Sequence, residues 1–133
     1  MAGVVSIRVR GYHVDMYGHV NNARYLEFLE EARWALLEQV IDLPSALREG
    51  PALVVVGITI NYRGPARVGD ELEVSARISS IGEHSGTFHQ EVRSASSGSL
   101  VVDADVTFVP LDQGTGRPVP IEGALRELLD RLV

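Results

Sequence analysis

Between Asn22 and Val40, apolar residues fall at helical spacing around most of a helix's circumference, and this stretch limits the folds open to the chain. Tyr25, Phe28, Leu29, Ala32 and Leu36 recur at i, i+3, i+4, i+7 and i+11, and Leu26, Trp34, Leu37 and Val40 widen the apolar arc. A helix apolar on so many sides is buried on more than one of them, so it needs something wrapped around it or a partner chain against it. At 1.5 Å per residue it would be about 28 Å long. Asn21 or Asn22 is placed to cap its start.

The rest of the chain reads mostly as strands. Val5, Ile7 and Val9 alternate with Ser6, Arg8 and Arg10 in a half-buried strand. Pro44 and the Gly50–Pro51 pair punctuate the stretch after the helix. Ala52–Val56 is a continuous apolar run that passes into the alternating Ile58, Ile60 and Tyr62, with a bulge expected at Gly57. Leu72, Val74, Ala76 and Ile78 mark a clean amphipathic strand, Phe88 and Val92 a weaker one, and Val102, Ala104, Val106 and Phe108 a last one. A Gly/Pro-rich loop then leads to a short C-terminal helix around Glu122–Leu132. Short turns between the last four strands predict antiparallel neighbours. One sheet against one long helix is an α+β arrangement, and the 133 residues suit a single domain spanning 1–133.

Composition removes several chemistries. There is no cysteine, so disulfides, thiolate metal sites and a Cys nucleophile are excluded. All 12 basic residues are arginine, which rules out a Schiff-base or Walker lysine. A net charge of -6 argues against nucleic acid as a partner. Met1–Arg10 has neither the apolar run of a signal peptide nor that of a membrane span, so the expectation is a cytoplasmic protein without membrane insertion. No GxSxG elbow occurs, and Gly114-Thr115-Gly116 lacks the third glycine of a dinucleotide loop. His13, His19, His84 and His89 show no metal-ligand spacing, and Asp103 and Asp105 read as solvated strand positions.

The informative segment is Gly11–Tyr25, GYHVDMYGHVNNARY, which puts one acid, two His and two Asn in the loop leading into the long helix. The first N–H groups of a helix are unpaired and carry partial positive charge. They can polarise a carbonyl oxygen that gains negative charge in a transition state. Asp15, just upstream, is placed to act as base or nucleophile beside them. The same residues also suit a purely structural part, since Asp and Asn favour turns and caps.

The run from Arg10 to Arg33, RGYHVDMYGHVNNARYLEFLEEAR, resembles the hotdog-fold thioesterases of the 4-hydroxybenzoyl-CoA thioesterase type, and most of all their bacterial long-chain acyl-CoA branch. Asn61-Tyr62-Arg63-Gly64-Pro65-Ala66, followed by Gly69-Asp70, fits the same family, as does the order of elements. The resemblance implies an antiparallel sheet wrapped around the long helix, and a homodimer or homotetramer with active sites between subunits. It implies hydrolysis of acyl-CoA to free acid and CoA without a cofactor. Asp15 takes the place of the catalytic carboxylate, as base or nucleophile, and the oxyanion-donating N–H falls near Asn22. Where many relatives carry Asp-x-Asp, this chain has His13 first, so one acid remains; Glu30 and Glu31 are fallback acids only.

Other candidates carry two readings each. His19 is placed to bond substrate or Asp15, or to stabilise the loop. Arg63 and Arg67 flank a tight turn and suit either CoA phosphates or solvent. Tyr25 suits the core or an acyl tunnel, and Glu30 with Arg33 makes an i, i+3 pair. Two functions follow: a thioesterase with Asp15 as its acid, or a non-catalytic acyl-CoA or lipid-binding protein of the same fold. A carrier-protein or aromatic thioester is open as substrate.

Overall fold

The computed structural model describes residues 1–133, except for the side chains of Leu43, Ala46 and Leu47. The elements run β1 (Gly3–Arg8), α1 (Arg24–Leu37), α2 (Leu43–Glu49), β2 (Ala52–Tyr62), β3 (Glu71–Ile81), β4 (Gly86–Ser94), β5 (Leu100–Leu111) and α3 (Gly123–Asp130), with a 3-10 turn at Gly11–His13. One antiparallel five-stranded sheet has the order β1-β3-β4-β5-β2. This is the α+β hotdog architecture, with α1 laid across one face of the sheet on β1, β3 and β4.

The period-two strands bury the residues their alternation predicts. Leu72, Val74, Ala76 and Ile78 of β3 and Val102, Ala104, Val106 and Phe108 of β5 all lie in the core. Close approach of helix and sheet needs Gly3, where a Cβ would stand 2.5 Å from the Leu36 backbone nitrogen. In β2 the bulge falls where expected: Val55 pairs with Phe108 and Gly57 with Thr107, leaving Val56 unpaired.

Strand adjacency departs from a simple meander. β3–β4 and β4–β5 are hairpins, but β2 pairs with β5 and not with β3. The Arg63–Asp70 connection crosses the end of the sheet, and its backbone groups are taken up there. Arg63 N–H donates to the Val101 carbonyl (2.8 Å), Gly69 N–H to Val9 (2.9 Å), and the Ala66 carbonyl accepts from Val20 N–H (2.8 Å). Ala66 is buried beneath that crossing.

The helices differ from the sequence pattern in extent. α1 spans 14 residues rather than the expected Asn22–Val40, because Gln39 and Val40 donate to carbonyls three residues back and tighten the chain out of α-geometry. Asn21 organises its start: Asn21 Oδ1 accepts Ala23 N–H (3.0 Å) and the Asn21 carbonyl accepts Arg24 N–H (2.9 Å). Ala23, at the cap position itself, offers no side-chain bond. Tyr25, Phe28, Leu29, Ala32 and Leu36 form the buried stripe, while Leu26 is 41% exposed. α2 was not expected. Pro44 reads as a break, yet it lies in the first turn of α2, where the missing N–H would be unpaired anyway.

One core position is polar. Gln90 of β4 is fully buried. Its amide donates to the Leu29 carbonyl on α1 (2.8 Å) and the Ser75 carbonyl on β3 (3.2 Å), and its Oε1 accepts from Arg33 (2.9 Å). Arg33 therefore bonds across the core to Gln90, and among the described residues the ion pair within α1 is Arg24–Glu27 (2.8 Å), not Glu30–Arg33. Among the described residues, no helix is long and apolar enough to cross a membrane.

Candidate active site

Residues His13–Asn21 fold into a tight hairpin in front of α1. Asn21 N–H donates to the His13 carbonyl (2.8 Å), Asp15 N–H to His19 (2.8 Å), and Gly18 N–H to Asp15 (3.0 Å). Gly18 closes the turn at φ 78°, in the left-handed region that favours glycine. Asp15 Oδ1 accepts the N–H groups of Tyr17 (2.8 Å) and His19 (3.3 Å). One carboxylate oxygen shapes the turn, and the side chain as a whole stays exposed.

The hairpin sets two groups of residues at the start of α1. On one side, His19 is bridged to Arg67 through the main chain. Arg67 N–H donates to Asp70 Oδ2 (2.9 Å), which holds the turn while the Arg67 side chain is exposed. On the other side, the exposed Asn22 precedes α1, and its carbonyl accepts the Tyr62 hydroxyl (3.1 Å). The Tyr62 ring lies 5.8 Å from that of Tyr25. Tyr25 itself is in the core, and burial pushes its phenol up to about 12. Tyr62 reads in sequence as the end of a strand and as part of the Asn61–Ala66 motif; its approach to Asn22 comes from tertiary packing.

Arg63 stands apart from this group. Its Nε donates to Asp103 Oδ2 (2.7 Å), and Asp103 Oδ1 accepts from Asn61 (2.8 Å). The Arg63 guanidinium holds the Asp103 carboxyl below the usual carboxylate range. Asp105 Oδ1 lies 2.9 Å from His89 Nδ1 and accepts its N–H in the tautomer that carries the proton there. Asp103 and Asp105 are therefore partnered across strands rather than merely solvated.

His13 is a wall of the hairpin. It is buried, and its Nδ1 accepts Arg10 N–H (2.9 Å), which leaves the ring proton on Nε2 in the neutral form. Its ring meets Phe28 edge-on at 5.0 Å. Burial, then the nearby Arg24 charge, lowers its pKa. Among the described residues, no three His, Asp or Glu side chains are grouped to hold one metal ion.

Two hollows flank α1. A polar one of about 420 Å³ is lined by Arg8, Arg10, Tyr12, Arg24 and Glu27 among others. An apolar one of about 280 Å³ lies between the C-terminal half of α1, β2 and the aromatic rings of Phe88 and Phe108.

The fold is found in known proteins. The model of the thioesterase-like superfamily matches residues 9–129. The chain is 46% identical over 127 residues to the long-chain acyl-CoA thioesterase FadM of Escherichia coli, covering 96% of each. It is 32% identical to the chloroplastic acyl-acyl carrier protein thioesterase ATL3 of Arabidopsis thaliana, over 92% of this chain and 64% of that protein. The crystal structure of YbaW, a probable thioesterase from Escherichia coli, superposes with a TM-score of 0.89 at 44% identity, covering 98% of both chains. A Thermus thermophilus thioesterase complexed with coenzyme A and Zn superposes at 0.85 with 32% identity, over 98% of this chain and 92% of that one. With a family match over nearly the whole chain and the same fold in its solved relatives, the chain belongs to the thioesterase-like superfamily.

Proposed function

We propose that this protein hydrolyses medium- to long-chain fatty acyl-CoA to free acid and CoA, with Asp15 as the catalytic carboxylate and the backbone N–H at Asn22 as oxyanion donor. The observation that carries this reading is the Asp15 hairpin. It pins one carboxylate oxygen to two backbone N–H groups in front of a helix start. A pinned carboxylate has little orientational freedom left to lose at the transition state.

As a base, Asp15 takes a proton from water as the water oxygen attacks the thioester carbonyl. The resulting oxyanion is stabilised by the Asn22 N–H and the positive end of α1. Collapse breaks the C–S bond, and the CoA thiolate takes up the proton. As a nucleophile, Asp15 instead forms an anhydride with the acyl group, which water then opens. A single turnover in ¹⁸O-water separates the two. The base route leaves Asp15 unlabelled and puts the label in the product acid; the nucleophile route, with water opening the anhydride at the Asp15 carbonyl, puts it first in Asp15.

His19 lies beside Asp15 in the hairpin and contacts the thioester end. Tyr25 backs Tyr62 at the helix start. The exposed Arg67 is the better ligand for CoA phosphates, and Arg63 contributes the guanidinium N–H groups that Asp103 does not use. The active unit is a homodimer or homotetramer, which the exposed apolar edge strand β2 supports. A second reading, a carrier-protein thioester, is supported by the ATL3 likeness.

The test is thiol release from acetyl- through palmitoyl-CoA, benzoyl-CoA and an acyl carrier protein. Asp15→Asn is expected to lower turnover about 10²- to 10⁴-fold with the fold intact. Wild-type rates in that variant would remove Asp15 from the mechanism. Tight binding without any release would favour a binding protein.

A further inference from the structure

The polar hollow beside α1 has two unlike ends. Gly3 of β1 abuts Leu36 of α1, whereas Tyr12 and His13, beyond the other end of β1, meet Arg24 and Phe28. β1 and α1 therefore run antiparallel. One end of the hollow collects Arg10, Tyr12, His13 and Arg24, and the other Ser6 and Glu31. From Arg24 to Glu31 the helix advances about 10 Å.

The first end suits an anion. His13 is only 8% exposed and lines the hollow. Its Nδ1 accepts Arg10 N–H, so in the neutral ring the proton is on Nε2. Nε2 has no hydrogen-bond partner among the described residues, and no sealed side-chain nitrogen or oxygen there lacks one, so this N–H opens into the hollow. The Tyr12 ring sets Arg24 close to it: its centroid is 4.2 Å from that of His13 and 6.0 Å from Arg24 Cζ. Arg24 meets Glu27 through Nη1 (2.8 Å), which leaves its other N–H groups. Arg10 carries no ion pair among the described residues. Burial, then the Arg24 charge, holds His13 neutral; Glu27 opposes this and Arg10 adds to it, so both guanidinium charges act on that ring.

His13 Nε2–H and two planar guanidinium forks match the three terminal oxygens of a phosphate. The volume of about 420 Å³ leaves room for more than the phosphate itself. At the far end the Ser6 hydroxyl and the Glu31 carboxylate can accept hydroxyl hydrogens. This hollow is separate from the apolar one. At about 100° per residue, its Arg24, Glu27, Phe28 and Glu31 point about 120° away from Glu30, Arg33, Trp34 and Leu37 of the other. It lies along β1, and the Tyr62–Asn22 contact lies at the end of β2, the opposite edge of the sheet.

We infer that the polar hollow binds a phosphate monoester of a hydroxylated molecule, a sugar phosphate in its simplest form, with His13, Arg10 and Arg24 on the phosphate and Ser6 and Glu31 on a hydroxyl.

The experiment follows the His13 ring by NMR in the intact protein, its resonance identified by its absence in His13→Gln. Glucose 6-phosphate is expected to shift it and to raise its pKa, because a bound anion favours the charged ring. Glucose is expected to leave it unchanged. Arg10→Gln, at an exposed side chain, should weaken glucose 6-phosphate about tenfold, the worth of one charge-assisted hydrogen bond. Glu31→Gln should bring its affinity down toward that of inorganic phosphate. A His13 ring that ignores every phosphate compound, or a response to glucose 6-phosphate unchanged in Arg10→Gln, overturns the inference. Equal affinity of the wild type for inorganic phosphate and glucose 6-phosphate removes Ser6 and Glu31 from it. Displacement of glucose 6-phosphate by CoA overturns the separate site, since the arginines would then serve the phosphates of CoA. None of these readouts needs turnover, so the outcome is independent of the hydrolase reading.

Discussion

At Asp15, turn and proposed chemistry share one carboxylate. The local geometry was legible in the sequence because an Asx turn spans only a few residues, and Asp15, Gly18 and Asn21 lie within one hairpin. His13 was less legible. Nothing in its neighbours shows that it is buried with Nδ1 bound to Arg10 N–H. Its lowered pKa carries a sign. In the folded state the neutral ring is favoured, so the full stability is present above the unfolded value of 6.5. That stability is lost as pH falls from there through the lower folded value. Thermal unfolding between pH 7.5 and 5 is therefore expected to show a falling Tm, and His13→Gln should flatten that fall. An identical pH slope in wild type and variant would assign the titration elsewhere.

Among the elements, the strands followed their period-two pattern because burial on one face of a sheet imposes it. α1 ended earlier than its apolar pattern, since periodicity records which face is apolar and not where the backbone tightens. α2 leaves no helix signal in the sequence, because a proline in a first turn has the same appearance as one that breaks a helix. What ties α1 to the sheet is a polar residue at a position the pattern marks as core. Gln90 joins α1, β3 and Arg33 through three hydrogen bonds. Gln90→Ala should cost about 2–4 kcal/mol, since it opens a cavity and leaves the half-buried Arg33 guanidinium without this partner. Urea unfolding measures it. A loss under 1 kcal/mol, within the range of ordinary surface changes, would show that water replaces the amide.

For the whole molecule, β1 and β2 are the two edges of the sheet, and β2 is the longer and apolar one: Val54, Val55, Val56 and Ile58 are 37%, 37%, 60% and 38% exposed. Long apolar edges invite pairing with another chain. The proposed homo-oligomer therefore predicts that Val56→Asp, which sets like charges against each other across a symmetric contact, lowers the solution mass toward the 14.5 kDa monomer. Light scattering behind size exclusion reads this directly. A wild-type monomer, or an unchanged mass in the variant, would rule out assembly through β2.

The sequence by itself determined what depends on near neighbours: which segments are strands, where the long helix lies, and how the Asp15 loop turns. It also determined what depends on inventory, since a chain without cysteine or lysine has no thiolate or amine chemistry to offer. Only the tertiary structure decided the strand order, the Gln90–Arg33 bond, the Arg63–Asp103 pair, the reach of Tyr62 to Asn22 and the two hollows that flank α1. The physical reason is separation. Gln90 and Arg33 lie 57 residues apart, and Tyr62 and Asn22 lie 40 apart. A contact over that distance leaves no period or spacing in the local sequence and exists only once helix and sheet have packed together.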